Sequence, residues 1–409
     1  MRRYQLGNKG GVTVEGRGIF LLVSVFFQGT FWAHAQTIEF IEDLRRGPAD
    51  GEVFLWTSPN ATVSVDGGGT MYVADPSTNR IMAYGPNGDY LRTVAGEGSG
   101  PGELKGLLHF RVLSEGGAVA LELLDGLFPR LHYFDKTMGF VRFREYQGIP
   151  LILEIGLLSP LGDGFAAFYV QSDREKKQRR YETAAFDMTW NRQKSFVTKY
   201  GPMPDRSRIG QASYWSERIG ENLSRFFSGT GVFNYDRHGH LFTAVTNQNE
   251  IVKWDLPLEN KVLVIRREYK PKLWQDIDRQ TVLDQFIDEL GSDPELVNLI
   301  TPGVLRQAME QAELPPAKHV VFGIIPMWDG GVLVVRDIDL DTGMQLAEVF
   351  DADGQYLGKT ELAEQALVRL TLGGYLPKMV FADSFAYTMA TDGPGENVLI
   401  RYRYRLRAD

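Results

Sequence analysis

Three features of the sequence predict an all-β fold, a six-bladed β-propeller of four-stranded antiparallel blades. Residues 61–103 read as four short strands separated by turn signals, the same pattern recurs five more times, and the two ends of the chain carry strand patterns that complete each other. A small helical insertion is expected between blades four and five.

The first unit sets the pattern. An apolar run, Ala61 to Val65, meets the turn Asp66-Gly67-Gly68-Gly69, whose glycines allow the positive φ angles of a tight reversal. Met71 to Ala74 forms the second strand. Pro76 lacks the N–H a ladder needs, so Asp75 to Asn79 is a turn leading into a third strand, Arg80 to Tyr84. Gly85-Pro86-Asn87-Gly88 then delivers a fourth strand, Asp89 to Val94.

Four such strands bury too little apolar area to stand alone, so the pattern has to recur. The third strand does so at Arg130 to Asp135, Tyr181 to Asp187, Glu250 to Asp255, Met344 to Asp351 and Asn397 to Tyr402. The first hairpin turn recurs at Gly69, Gly117, Gly164, Gly239, Gly331 and Ser384, with spacings of 48, 47, 75, 92 and 53 residues. These spacings predict units of about fifty residues, six in number, interrupted by two long insertions.

The wording VDGGGTMYVADPSTNRIMAYGPNGDYLRTVAGEGSGPGEL resembles an NHL-type repeat of the six-bladed propellers of the NHL-repeat and TolB-like kind. The resemblance implies that Asp75, ending the second strand, faces Arg80, opening the third. Blade two keeps part of it in Glu122, Arg130 and Asp135; the other units keep pattern and turns. Propellers host many unrelated functions, so the resemblance carries a fold and not an activity.

Residues 1–35 read as a signal peptide. Arg2, Arg3, Lys9 and Arg17 precede the apolar run Ile19 to Phe27, and Ala33-His34-Ala35 before Gln36 has the spacing of a cleavage site. The run is shorter than the ~20 residues that span a bilayer. An exported protein, periplasmic or extracellular and with no stable membrane span, is the expectation.

The segment 1–35 carries a net +3, so the remainder of a chain at −8 carries −11, which disfavours nucleic acid as a partner. With no cysteine there is no disulfide and no thiolate metal site.

The domain 36–409 is expected to act as a monomer. Thr37 to Asp43 alternates as a half-exposed strand should, and the last unit, from Lys378 onward, supplies only three strands. The N-terminal strand is expected to be the fourth, closing the ring so that no edge stays open. The charged run Asp173 to Arg180 reads as a solvated hairpin loop.

Insertion one, 201–229, reads as irregular and rich in arginine and aromatics. Insertion two, 272–318, has helical periodicity over Ile277 to Leu290, a capped start at Ser292-Asp293-Pro294 leading to a helix over Leu296 to Ile300, and a further helix opened by Pro302. Both leave the outermost strand of one blade for the innermost strand of the next. They should therefore form a half-lid on one face of the central channel.

The enzymatic reading follows from relatives that the resemblance brings in, zinc-dependent amidating lyases and calcium-dependent lactonases. It would make this chain a metal-dependent hydrolase or lyase acting in the channel. The five histidines after residue 35, His109, His132, His238, His240 and His319, do not converge in the predicted register. Calcium would draw on Asn60, Glu154, Asn234 and Asp383, which fall at different depths, so no cofactor is assigned and calcium is the one candidate. Asp351-Ala352-Asp353-Gly354 resembles the start of a calcium loop but sits where a turn is expected.

The glycine-rich stretch 96–102 lacks the Lys-Ser/Thr of a phosphate loop, and no Gly-x-Ser-x-Gly elbow is present. Catalysis is therefore not assigned to any residue. Recognition of a protein, peptide or carbohydrate at the lid face is the leading reading. Its candidates are Trp56, Asn60, His109, Glu154, His319 and Lys378 at the rim, with Arg206, Arg208, Tyr214 and Trp215 in the first insertion.

Overall fold

A computed structural model describes residues 36–47 and 61–408, apart from 114–115, 125–127, 146–157, 162–163, 174, 188–190, 256–257, 277, 282–283, 285–298, 340–341, 343, 363–365, 371–373 and 393–395. The chain enters through β1 (Gln36–Arg46) and builds blade one from β2 (Thr62–Val65), β3 (Met71–Asp75), β4 (Arg80–Tyr84) and β5 (Tyr90–Ala95). Its turn chemistry is visible at the first hairpin: the Asp66 carboxylate accepts the backbone N–H groups of Gly68 and Thr70, and Gly69 sits at φ +81°. Asp135, Asp236 and Asp351 organise later hairpins in the same way. The Asp351 doublet is thus a turn, as its position predicted.

Blade two is β6 (Leu107–Val112), β7 (Ala118–Leu124), β8 (Phe128–Phe134) and β9 (Phe140–Glu145). Blade three is β10 (Leu158–Leu161), β11 (Gly164–Asp173), β12 (Gln178–Asp187) and β13 (Arg192–Pro202). Blade four is β14 (Gly231–Tyr235), β15 (Leu241–Val245), β16 (Glu250–Trp254) and β17 (Lys261–Arg266). Blade five is β18 (Gly323–Pro326), β19 (Val332–Ile338), β20 (Gln345–Phe350) and β21 (Tyr356–Leu362). A hairpin, β22 (Leu367–Leu370) with β23 (Gly374–Pro377), then leads to blade six: β24 (Val380–Ala382), β25 (Phe385–Asp392), β26 (Glu396–Ala408) and, from the other end of the chain, β1.

Closure is as the sequence predicts. β1 runs antiparallel to β26 from Gln36 opposite Ala408 to Arg46 opposite Leu399. Ile38 drops into the core shared by blades five and six, and the Thr360 hydroxyl donates to its carbonyl at 2.8 Å. Arg401 to Asp43 and Arg405 to Glu39 add ion pairs across the strands, each worth little because their arginines or acids stay partly solvated. Gln36 also pairs parallel to Gly358, which joins blades five and six into one eight-stranded sheet.

The apolar core is divided into slabs between consecutive blades. Tyr72 and Ala74 of blade one face Phe110 and Ala120 of blade two, while Val73 and Met71 face Tyr387 and Leu399 of blade six. Similar clusters join blades two and three, three and four, four and five, and five and six. Alternate side chains of one strand therefore serve two different interfaces, which is why β3 is buried throughout and reads as an unbroken apolar run. Each fully buried large side chain in these slabs contributes about 1.5–3 kcal/mol.

Two sequence expectations need correction. The charged run 173–180 is not all loop: β11 and β12 extend into it, Arg179 is buried, and Arg180 lies 3.1 Å from the buried Glu182. The connection after residue 360 holds the β22–β23 hairpin, clamped where the Gln345 side-chain amide donates to Leu367 O and accepts from Leu367 N.

Insertion one is not irregular. It contains a 3-10 turn, Arg206–Arg208, and a sixteen-residue helix, α1 (Ala212–Phe227). Its apolar residues Tyr214, Ile219, Leu223 and Phe227 recur at helical intervals, a signal masked by the serines, glycine and charges between them. In insertion two, Pro302–Gln311 forms α2, opened by Pro302 as predicted; Thr301 is its N-cap. Most of the first helix expected there, and all but the last two residues of the second, lie outside the described residues.

Candidate functional site

The first strands of the blades approach one another around the centre, and five of them, β2, β6, β14, β18 and β24, line a cavity of about 150 Å³. Each blade is antiparallel, so every first hairpin turn lies on the face opposite the two insertions. Asp236, Arg237, Met327 and Trp328 belong to such turns or adjoin them, so the cavity reaches that turn face.

Strand alternation sets the lining. In β6, Phe110 packs into the slab between blades one and two, whereas His109 and Arg111 on the other side of the strand line the cavity. The Arg111 guanidinium crosses to blade four, donating to Asp236 O at 2.9 Å and lying 5.1 Å over the Tyr235 ring. Asn234 ties blade four to blade five by donating to Ile324 O at 2.9 Å. At the turn face Arg237 stacks 3.7 Å over Trp328.

Among the described lining residues Arg111, Arg237 and Lys378 are cationic and Asp236 is the one carboxylate. That carboxylate is committed: it accepts the N–H groups of His238 and His240, the His240 ring at 2.8 Å, and Lys253 Nζ at 3.2 Å. Burial works to raise the Asp236 pKa, but the His240 hydrogen bonds and the Lys253 charge outweigh it and hold it below the usual carboxylate range.

Burial, reinforced by the Arg111 charge, lowers the His109 pKa to about 4, so the ring is neutral at pH 7. Its Nδ1 has no hydrogen-bond partner. Burial lowers the Lys378 pKa to about 8. An excess of cations over carboxylates among the described lining residues, in a chain of net charge −8, is a local arrangement and not a consequence of composition.

The predicted site residues separate into groups. His109 and Lys378 come together in the channel lining. Arg206 opens the 3-10 turn, and Arg208 makes two 2.9 Å bonds to Glu217 of α1. Tyr214 is buried and meets Trp215 edge to face at 5.3 Å; the Trp215 indole donates to Ile209 O and packs against Ile300 and Leu305. His319 is buried between Phe227 and Phe322, with ring centroids at 5.7 and 5.6 Å. Trp56, Asn60 and Glu154 lie outside the described residues.

Of the other histidines, His132 is buried against Glu122 at 2.9 Å, and His238 and His240 occupy the blade-four turn. Among the described residues no group of three or more histidines and carboxylates is placed to hold a metal ion. No helix among them is long and apolar enough to cross a membrane. Arg111, Arg237 and Trp328 were not singled out by the sequence. The signal was the alternation in LLHFRV, where two polar residues two apart interrupt an otherwise apolar inner strand.

No family model and no curated protein sequence matches the chain. Solved structures do resemble it. A candidate exported protein of Bacteroides fragilis is 10% identical with a TM-score of 0.48, covering 91% of this chain and 96% of its own. A member of the DUF4221 family from Bacteroides vulgatus is 11% identical with a TM-score of 0.45, covering 92% and 100%. Streptogramin B lyase is 10% identical with a TM-score of 0.38, covering 91% and 99%. At these identities no activity transfers.

Proposed function

We propose that the chain is an exported binding protein, and that its ligand, a protein, peptide or carbohydrate, inserts one group into the central channel. The observation that carries this reading is the cavity itself: a concave site where five inner strands converge, with a few directed polar groups among apolar walls. The facing pair Asp75 and Arg80 supports an NHL-like origin for blade one. Export rests on the targeting pattern of residues 1–35.

A screen of peptide and oligosaccharide arrays against the wild type and a Thr62→Phe variant, which fills the cavity from β2, tests the reading. Ligands captured by the wild type are expected to be lost by the variant. Capture that survives the filled channel places recognition elsewhere.

A further inference from the structure

We propose that the central channel takes an apolar side chain, up to a phenyl ring in size, presented by a protein or peptide that approaches the turn face. The inference rests on the reading of the channel as the binding site and adds the chemical class of the group that enters it. At the mouth, β2, β6, β14 and β18 run toward the turn face, and each ends on an apolar or aromatic residue that lines the cavity: Val65, Val112, Tyr235 and Pro326. Val65, Val112 and Pro326 are only half-buried, so apolar surface from three blades is left for a partner's side chain to cover. A volume of about 150 Å³ accommodates a single ring, as apolar cavities of roughly that size hold benzene.

The polar side chains of the lining narrow the class, because several of them already hold the ring together. Asn234 donates to Ile324 O and accepts from the Tyr235 N–H. The Ser64 hydroxyl accepts the Val112 N–H, and Arg111 donates to Asp236 O. The bonds to Ile324, Val112 and Asp236 each join two blades, so a ligand that recruited these groups would compete with contacts that close the propeller. A sugar, which carries a hydroxyl on almost every carbon, needs such partners to replace the water it leaves behind. An apolar side chain needs only space and an apolar wall, which favours a protein or peptide over a carbohydrate.

N-acetyl-phenylalaninamide and N-acetyl-glycinamide, titrated into the purified protein and followed by NMR, differ only in the side chain at issue. The phenylalanine derivative is expected to bind at least about ten-fold more tightly, the order of effect that burying a phenyl ring produces. Thr62→Phe, which fills the cavity, is expected to remove that preference. Val65→Phe at the half-buried mouth provides a second block that does not depend on the interior tolerating a larger residue. Methyl glucoside is expected not to bind.

Equal affinity for the two capped residues, or methyl glucoside binding as tightly as the phenylalanine derivative, overturns the apolar class while leaving the channel reading in place. A preference for phenylalanine that both variants leave unchanged overturns the site. If no probe binds while array ligands remain sensitive to Thr62→Phe, the apolar inference fails and the channel reading stands; if those ligands are also insensitive, both fail.

Discussion

The helix pair on one face and the channel reaching the other contain the same kinds of side chain, arginines, aromatics and histidines, in different settings. In the insertions several of them are engaged within the insertions themselves. Arg208 is closed onto Glu217, Trp215 onto Ile209 O, and Phe227 onto Trp274 at 4.6 Å, while Gly220 lets α1 approach α2 so closely that a Cβ there would lie 2.9 Å from Ala308 O. In the channel, Arg111 reaches across to Asp236 O, and a neutral His109 has an Nδ1 with no hydrogen-bond partner. Composition identifies both regions as candidates. What separates them is placement: the channel residues line a cavity at the centre of the ring, while the insertion residues pack the two helices together.

Several substitutions would sharpen or break this contrast. The largest effect is expected from deleting Gln36–Arg46, which removes the fourth strand of blade six and exposes β26 as an edge. Aggregation or a fall of at least about 5 °C in melting temperature is expected, together with loss of channel binding, because blade six lines the cavity. An unchanged melting curve would contradict the closure.

Phe227→Ala removes a buried ring from the helix pair, at a cost of about 3–5 kcal/mol. Faster proteolysis within 212–227 is expected, while affinity for N-acetyl-phenylalaninamide stays within about two-fold if the helices serve as support. A parallel loss of affinity would show that the two faces form one site.

Lys378→Met is expected to raise the melting temperature at pH 7. Burial lowers the folded-state pKa below the unfolded one, so the charged lysine costs stability at every pH below about 8, and the cost fades as pH rises toward the ordinary lysine value. The gain from methionine should therefore vanish at high pH. In the wild type, affinity for the uncharged N-acetyl-phenylalaninamide should hold as pH rises through about 8, with Asp236 still ionised and His109 still neutral.

The smallest effect belongs to Arg208→Ala. Its ion pair with Glu217 is solvated, so neither melting temperature nor affinity should move beyond error.

The fold was legible because it is repetitive. Asp-Gly turns fix where each hairpin reverses, and the unmatched strand pattern of β1 has one available partner in the three-stranded last unit. The site was only half legible. His109 and Lys378 could be placed at the rim from register, but Arg111 reads as an ordinary strand residue until blade four is set opposite it, because the 125-residue separation of their contact has no local signature. Helix α1 went unread for the opposite reason: local chemistry, with Ser213, Ser216, Gly220 and Ser224 inside the run, obscured a periodicity that packing against α2 enforces.

Amide hydrogen exchange with and without saturating N-acetyl-phenylalaninamide tests the central claim most directly. Protection confined to the inner strands β6, β14 and β24 and to the Asp236–His240 turn is the predicted result. Protection confined to α1 and α2, with the inner strands unchanged, would contradict it.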